Sequence, residues 1–223
     1  MPDGTDRVLV TAVIDDHPVL TSGIAISCAE AYPPIELAAS YSSPTMFLDD
    51  PAATPDAFDV VILDLQFNQK APDLAALTML CHRGFRVVVY SRYHDSDLVL
   101  DCLELGAAIY LSKEEPPERL IAALRAASID QAHVTATMAQ AMAQDRRSSR
   151  PSLSSREREV LLAWFQTESK ALVGQRLHIT AGTVSTHLER IRTKYAAAGR
   201  PAPTKAALVA RAIQDNLVEV GDL

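Results

Sequence analysis

Short runs of apolar residues recur along the first part of the chain, and each run ends in polar residues. Such runs are typical of strands buried on both faces of a parallel sheet. The predicted strands are Arg7–Ile14, Ile35–Ser40, Asp59–Leu65, Val87–Tyr90 and Ala107–Leu111. Helical patterns lie between them and after the last, ending near Ala31, Asp50, Leu80, Leu105 and Ala127. This alternation predicts an α/β fold with a doubly wound parallel sheet.

The last third of the chain shows helical spacing only, which predicts a separate all-α domain. Ser154 and Glu157 form the signature of a capping box at the start of its first helix. Further helices are predicted at Lys170–Leu177, Ala181–Tyr195 and Lys205–Asn216. In the third of these helices, Val184, Leu188, Ile191 and Tyr195 fall on one face.

The segment between these regions predicts a connection rather than a third domain. Residues 131–144 have the composition of a linker helix, and the polar stretch Asp145–Ser152 is the expected hinge. The expected division is therefore 1–130, 131–151 and 152–223. A chain of 223 residues has the length of two domains.

The two predicted domains differ in net charge. Residues 1–150 contain 11 basic and 21 acidic residues, a net charge of −10, whereas residues 151–223 contain 10 and 7, a net charge of +3. The basic C-terminal domain can approach a phosphate backbone that would repel the acidic N-terminal one. The two domains are therefore expected to have different partners.

Cysteine usage and hydropathy narrow the cellular setting. Cys28, Cys81 and Cys102 are odd in number, widely spaced and without a CxxC pattern, so neither a disulfide framework nor a zinc site is expected. The chain contains no apolar run of the roughly 18 residues that a membrane span needs. We expect a cytoplasmic protein that is neither exported nor membrane-spanning.

Polar residues with complementary chemistry follow the predicted strands. Asp15 and Asp16 follow the first, Asp64 ends the third, and Ser91 and Lys113 follow the last two. Ligands of open α/β sheets bind beyond the carboxyl ends of the strands. Three carboxylates brought together repel one another unless a cation joins them, and oxygen ligands suit Mg²⁺. Taken alone, Asp64 is explained as well by a helix cap or a loop acid as by a functional site.

These motifs resemble the receiver domain of two-component response regulators over about residues 6–128. The matching segments are Ile14–Pro18, Leu63–Leu65, Tyr90–Ser91 and Gly106–Lys113. The resemblance implies a flavodoxin-like fold and phosphorylation of Asp64 by a sensor histidine kinase. It further implies that Asp15, Asp16 and Asp64 hold Mg²⁺, that Ser91 and Tyr110 form a switch pair, and that Lys113 contacts the phosphate. Tyr110 as a core aromatic and Lys113 as a solvated lysine are the simpler alternatives.

Two segments depart from the receiver pattern. The loop after the acceptor strand reads Gln66–Pro72 where receivers commonly have a Met-Pro-Gly-like turn, and a backbone carbonyl of that loop normally binds the metal. Arg92 stands after the switch serine, where the family usually has a small residue. These departures leave open whether phosphorylation is needed.

The C-terminal part resembles the helix-turn-helix of the LuxR/NarL class over about residues 152–218. Leu153–Leu161 and Ile179–Leu188 carry this resemblance; without it, an amphipathic surface helix of an ordinary bundle would explain the spacing. It implies that Ala181–Tyr195 is the recognition helix in the major groove of promoter DNA. The residues expected to contact DNA are Lys170, Thr183, Ser185, Thr186, His187, Arg190 and Lys194. Ser185 replaces a lysine that is common in the family, and the final helix is expected to pair two copies on a pseudopalindromic operator.

The function expected from both halves is that of a non-enzymatic transcription regulator whose receiver controls promoter binding as a homodimer. One alternative is an orphan regulator that binds DNA without phosphorylation, as a constitutive dimer or gated by a ligand. A phosphotransfer enzyme with Asp64 as its nucleophile is a further alternative, although no substrate-pocket motif or cap insertion accompanies it.

Overall fold

A computed structural model gives the fold of the chain. It describes residues 8–67, 71–129, 131–144, 151–167 and 169–220. The predicted strand start at Arg7, the centre of the Gln66–Pro72 loop and most of the predicted hinge lie outside the described residues. Within them, no helix has the length and apolarity that crossing a membrane would require.

The strands form one five-stranded sheet, as predicted. They are β1 (Leu9–Ile14), β2 (Ile35–Tyr41), β3 (Val60–Leu63), β4 (Val87–Ser91) and β5 (Ile109–Ser112), in the order β2-β1-β3-β4-β5. The pairings of β1 with β2, β1 with β3, and β3 with β4 are parallel. All residues of β3 and β4 are buried, because their apolar side chains face helices on both sides of the sheet. The α/β doubly wound fold is thus confirmed.

Helices connect the strands at positions close to those predicted. They are α1 (Pro18–Glu30), α2 (Pro44–Asp49), α3 (Leu74–His82), α4 (Ser96–Glu104) and α5 (Pro117–Ser128). Ser43, Asp73 and Asp95 cap α2, α3 and α4 by accepting hydrogen bonds from backbone amides of the first turns. Such caps satisfy amides that the helix leaves unpaired and define where each helix begins.

The rest of the described chain is helical. It contains α6 (Ala136–Gln144), α7 (Ser155–Phe165), α8 (Lys170–Leu177), α9 (Ala181–Ala197) and α10 (Lys205–Gln214). The predicted capping box of α7 is present, with Ser154 and Glu157 bonded reciprocally. The linker helix begins later than the predicted residue 131, because Thr135 accepts a hydrogen bond from the amide of Met138 and so caps α6.

A sharp turn joins α8 to α9 and needs one left-handed residue and one close approach of the backbone to α8. His178 ends α8 in the left-handed conformation, with a φ of 54°. A Cβ atom at Gly174 would lie 2.5 Å from the carbonyl oxygen of Ile179, so only glycine allows this approach. These features create the helix-turn-helix geometry that the sequence predicts.

The chain folds into two compact units. The first contains β1 to β4, α1 to α3, the end of β5 and α5; the second contains α4, the start of β5 and α6 to α10. Within the second unit, α10 packs against α4 and α6, and residues 205–212 are all buried. The Arg211 guanidinium pairs there with Glu104, and the Thr204 hydroxyl donates to the carbonyl of Ala107 over 3.2 Å. The apolar face of α10 is therefore covered within the chain.

Candidate functional site

Asp64 lies directly after β3 and is 2% exposed. Its Oδ1 atom accepts a hydrogen bond from the amide of Leu65 over 2.7 Å. Its Oδ2 atom accepts one from the ammonium of Lys113, also over 2.7 Å. A buried carboxylate costs free energy unless it is paired and hydrogen-bonded, and both of its oxygens meet that condition here.

Asp15 shares the same ammonium. The Lys113 Nζ atom lies 2.7 Å from Asp15 Oδ2, while the amide of His17 donates to Asp15 Oδ1 over 2.9 Å. The His17 ring is 3.0 Å from Asp15 and 2.9 Å from Asp16, measured from Nδ1 to the nearer carboxylate oxygen. The carboxylates predicted from the ends of separate strands are thus brought together, with His17 beside them.

Ser91 and Lys113 connect the ends of β4 and β5. The Lys113 amide donates to the Ser91 carbonyl over 2.8 Å, and the Ser91 hydroxyl is buried with no hydrogen-bond partner among the described residues. Burial, together with the charges of Asp15 and Glu115, raises the pKa of the neighbouring Tyr90. Arg92, by contrast, is exposed. The hydroxyl of Ser91, the predicted switch serine, is therefore a buried hydrogen-bond donor without a described acceptor.

Tyr110 is fully buried and contacts the linker helix. The Thr135 hydroxyl donates to its carbonyl over 2.6 Å, and its amide lies 3.5 Å from the sulfur of Met138. Sequence patterns indicated the linker helix but not its partner, because no local periodicity encodes a contact between residues this far apart. Thr135 and Met138 are thus the residues through which α6 contacts the predicted switch tyrosine.

The group of acidic residues suits a divalent cation. One ligand atom from each of Asp15, Asp16, His17 and Asp64 lies within 4.8 Å of the others. Carboxylate oxygens are the ligands that Mg²⁺ prefers, and Asp16 and His17 keep this group partly open to solvent. The donor set present therefore fits Mg²⁺ at this edge of the sheet.

The apolar stripe predicted for α9 forms its buried face. Val184, Leu188, Ile191 and Tyr195 are each 0% exposed. The predicted DNA-contacting residues lie away from this stripe; Thr183, Thr186 and Arg190 are exposed, and Ser185, His187 and Lys194 are partly exposed. Lys170 begins α8 and is partly exposed.

Lys194 differs from the other predicted DNA-contacting residues because its charge is already paired. Its ammonium lies 2.7 Å from Glu157 and donates to the Ser152 carbonyl over 3.0 Å. Burial alone would raise the pKa of Glu157, but hydrogen bonds from Lys194 and Ser154 lower it below its usual value. This pair joins the end of α9 to the capping box of α7, a contact that the sequence pattern did not predict.

Comparison with known proteins places both parts of the chain in families. Residues 11–125 match the response regulator receiver domain, and residues 151–207 match the bacterial regulatory proteins of the luxR family. The chain therefore belongs to the response regulators of the NarL/LuxR class, which are DNA-binding transcription regulators.

Full-length relatives support this assignment. The transcriptional regulatory protein LiaR of Bacillus subtilis is 29% identical over 84% of this chain and 90% of its own length. The nitrate/nitrite response regulator protein NarL of Escherichia coli K12 is 28% identical over 82% of this chain and 87% of its own. As transcription regulators, these relatives are consistent with the expectation of a non-enzyme.

Solved structures agree with the fold. The response regulator ChrA of a heme-sensing two-component system matches with a TM-score of 0.50 and 26% identity, over 95% of this chain and 99% of that one. The RcsB–DNA complex matches with a TM-score of 0.56 and 16% identity, over 93% and 99%. At that identity, the second match shows the fold alone.

Proposed function

We propose that this chain is a cytoplasmic response regulator that a sensor histidine kinase phosphorylates on Asp64, and that phosphorylation controls dimeric binding to promoter DNA. We divide it into a receiver (1–130), a linker (131–151) and a helix-turn-helix domain (152–223). A phosphoryl group moves when the P–N bond of a phosphohistidine on the kinase breaks and a P–O bond to Asp64 forms.

The arrangement of Asp64, Lys113 and Ser91 carries the first part of this proposal. The Lys113 ammonium contacts the acceptor carboxylate directly and would neutralise an oxygen of the acyl phosphate. The buried Ser91 hydroxyl has no described partner, so a phosphoryl oxygen would give it the acceptor that it lacks. This matched pair of donors distinguishes the site from a merely structural group of acids.

Mg²⁺ would be held by Asp15, Asp16 and Asp64, and when bound it would neutralise charge on the phosphoryl oxygens. Residues of the chain itself hold the acceptor carboxylate in position. Lys113 orients the Asp64 carboxylate, and the amide of Leu65 fixes its other oxygen. Tyr110 is the proposed partner of Ser91 in the switch, and its contacts with Thr135 and Met138 provide a direct connection to the linker helix.

DNA binding would use the exposed side of α9 and the start of α8. We propose contacts from Lys170, Thr183, Ser185, Thr186, His187, Arg190 and Lys194, with Arg190 the main contact to a phosphate or base edge. Pairing of two copies through α10 requires its packing against α4 and α6 to open, because the same face is buried within the chain. Phosphorylation would favour the open state only to the extent that its contacts differ between the two states.

Phosphoryl transfer can be tested on the purified full chain with acetyl phosphate and Mg²⁺. The expected result is the gain of one phosphoryl group by intact mass, and no gain in Asp64→Asn. Asp97→Asn, which removes an exposed carboxylate from α4, is the matched control and should gain the group as the parent chain does. Gain by Asp64→Asn, or no gain by the parent chain, would contradict the proposal and favour a regulator that works without phosphorylation.

A further inference from the structure

The outward face of α9 carries an acidic residue at its centre. The four fully buried apolar residues define the inward side of the helix. At about 100° per residue, the opposite side contains Gly182, Thr186, Glu189 and Thr193, all of them exposed. Glu189 is the only acidic residue in α9. A helix otherwise suited to DNA thus points a carboxylate away from the protein.

No contact among the residues that the structure describes accounts for this carboxylate. No ion pair or side-chain hydrogen bond joins it to another described residue, whereas the partly exposed ammonium of Lys194 on the same helix is bound to Glu157. The neighbouring hydroxyls of Thr186 and Thr193 donate back to carbonyls of the helix itself. Glu189 is therefore the long side chain on this face that offers only acceptors.

A carboxylate held against DNA discriminates strongly between its possible partners. Phosphate oxygens repel it, and so do the acceptors that guanine and thymine present in the major groove. Adenine offers an amino group beside its N7 acceptor, whereas cytosine offers the N4 amino group without an adjacent acceptor. The partner that fits is the N4 amino group of cytosine.

We propose that Glu189 is a specificity-determining residue that accepts a hydrogen bond from the N4 amino group of a cytosine in each half-site. The inference rests on the proposed placement of α9 in the major groove. It predicts that binding tolerates other bases poorly at that position, since guanine and thymine present only acceptors there and adenine places its N7 acceptor beside its amino group. The competing explanation is a solvated helix glutamate that weakens binding to every sequence equally.

The test is a selection from randomised double-stranded DNA with the full chain, with and without acetyl phosphate and Mg²⁺. The parent chain should enrich a two-fold motif with one cytosine per half-site that is preferred roughly tenfold. Glu189→Ala should lose the preference at that position and keep the rest of the motif. Glu189→Gln should shift it towards adenine, because an amide side chain pairs with N6 and N7 of that base.

Glu159→Ala is the matched control, since Glu159 is an exposed carboxylate on α7, and it should keep the parent motif. A motif unchanged in Glu189→Ala would overturn this inference while leaving DNA binding by α9 intact. No enriched motif with the parent chain would overturn both this inference and the proposed promoter recognition. Because Glu189 is exposed, circular dichroism should show all three variants folded as the parent chain is.

Discussion

The charged groups of the receiver site and those of α9 are held in opposite ways. Asp15, Asp64 and Lys113 have side chains that are 2%, 3% and 6% exposed, and the Lys113 ammonium contacts both carboxylates directly. Arg190 and Glu189 are exposed on α9, and neither side chain forms an ion pair with another described residue. The receiver charges are therefore expected to contribute to folding as well as to the proposed chemistry, whereas those of α9 are available to a partner at little cost to folding.

The difference agrees with what each site is proposed to bind. A phosphoryl group of a few atoms needs donors fixed in place before it arrives, and burial strengthens their interaction with it. A DNA duplex is long and brings its own charges, so flexible exposed side chains suffice to contact it. Replacing charged groups in the receiver site should therefore change mainly the stability of the fold, whereas replacing those of α9 should change mainly DNA binding.

Lys113→Met should have the largest effect on folding. It leaves the carboxylates of Asp15 and Asp64 buried without their cation, which should lower the free energy of unfolding by about 3 kcal/mol at neutral pH. Urea titration that follows the receiver transition measures this loss. Added Mg²⁺ should restore part of it, because the dication replaces the missing charge.

Arg119→Met is the control for that measurement. Arg119 is exposed, so its replacement should change the same free energy by less than about 0.5 kcal/mol. Equal effects of the two substitutions would show that the buried pairs of the receiver site do not stabilise it.

Glu157→Gln should change how the helical domain responds to acid. The folded-state pKa of Glu157 is lowered below its usual value of 4.5, so its contribution is present above that pH and is lost as pH falls through the folded-state pKa. Glutamine can keep the capping box but not the ion pair with Lys194. The variant should lose about 1 kcal/mol at neutral pH and show a flatter decrease in stability on acidification.

Thermal unfolding between about pH 7 and pH 3 measures this response. Glu159→Gln is the control, because Glu159 is 52% exposed and its described ion pair, with Arg156, lies within its own helix. If acid destabilises Glu157→Gln as steeply as the parent chain, the Glu157 pair is not the source of the pH dependence.

Local patterns predicted the elements of the fold well. The four consecutive apolar residues of β3 are a local signal for a buried strand, and Gly106 is a local signal for the end of α4. Helix α8 occupies Lys170–Leu177 as predicted. Polar residues at strand ends likewise indicated Asp15, Asp64 and Lys113 as neighbours, because parallel strands bring their carboxyl ends to one edge. Both predictions rest on regular geometry that a short sequence pattern encodes.

Contacts between distant residues were not predictable in this way. The pairing of Lys194 with Glu157 spans 37 positions, and that of Thr135 with Tyr110 spans 25. The burial of α10 against α4 also depends on tertiary packing. The proposed role of Glu189 is not predicted from the sequence for another reason: the residues expected to contact DNA are basic or small and polar, and a carboxylate is neither.

Lys194→Met tests a cation of α9 that is neither buried like the receiver charges nor fully exposed like Arg190. Its side chain is 39% exposed and paired with Glu157, so its removal should cost less than about 1 kcal/mol of folding free energy. Its effect on the salt dependence of DNA binding should be smaller than that of Arg190, since its charge is partly neutralised already. Fluorescence anisotropy over a salt series compares the two; a larger change for Lys194 would mean that it leaves Glu157 on binding.

Arg190→Ala should have the smallest effect on folding and a clear effect on DNA. Because Arg190 is exposed, the free energy of unfolding should change by less than about 0.5 kcal/mol. Loss of one phosphate contact should reduce the slope of log affinity against log salt by about 1. Arg119→Ala removes an exposed arginine from the receiver instead and should leave that slope unchanged. An unchanged slope in Arg190→Ala, with folding intact, would mean that the exposed charge of α9 does not contact phosphate, and the contrast between the two regions would then not extend to DNA binding.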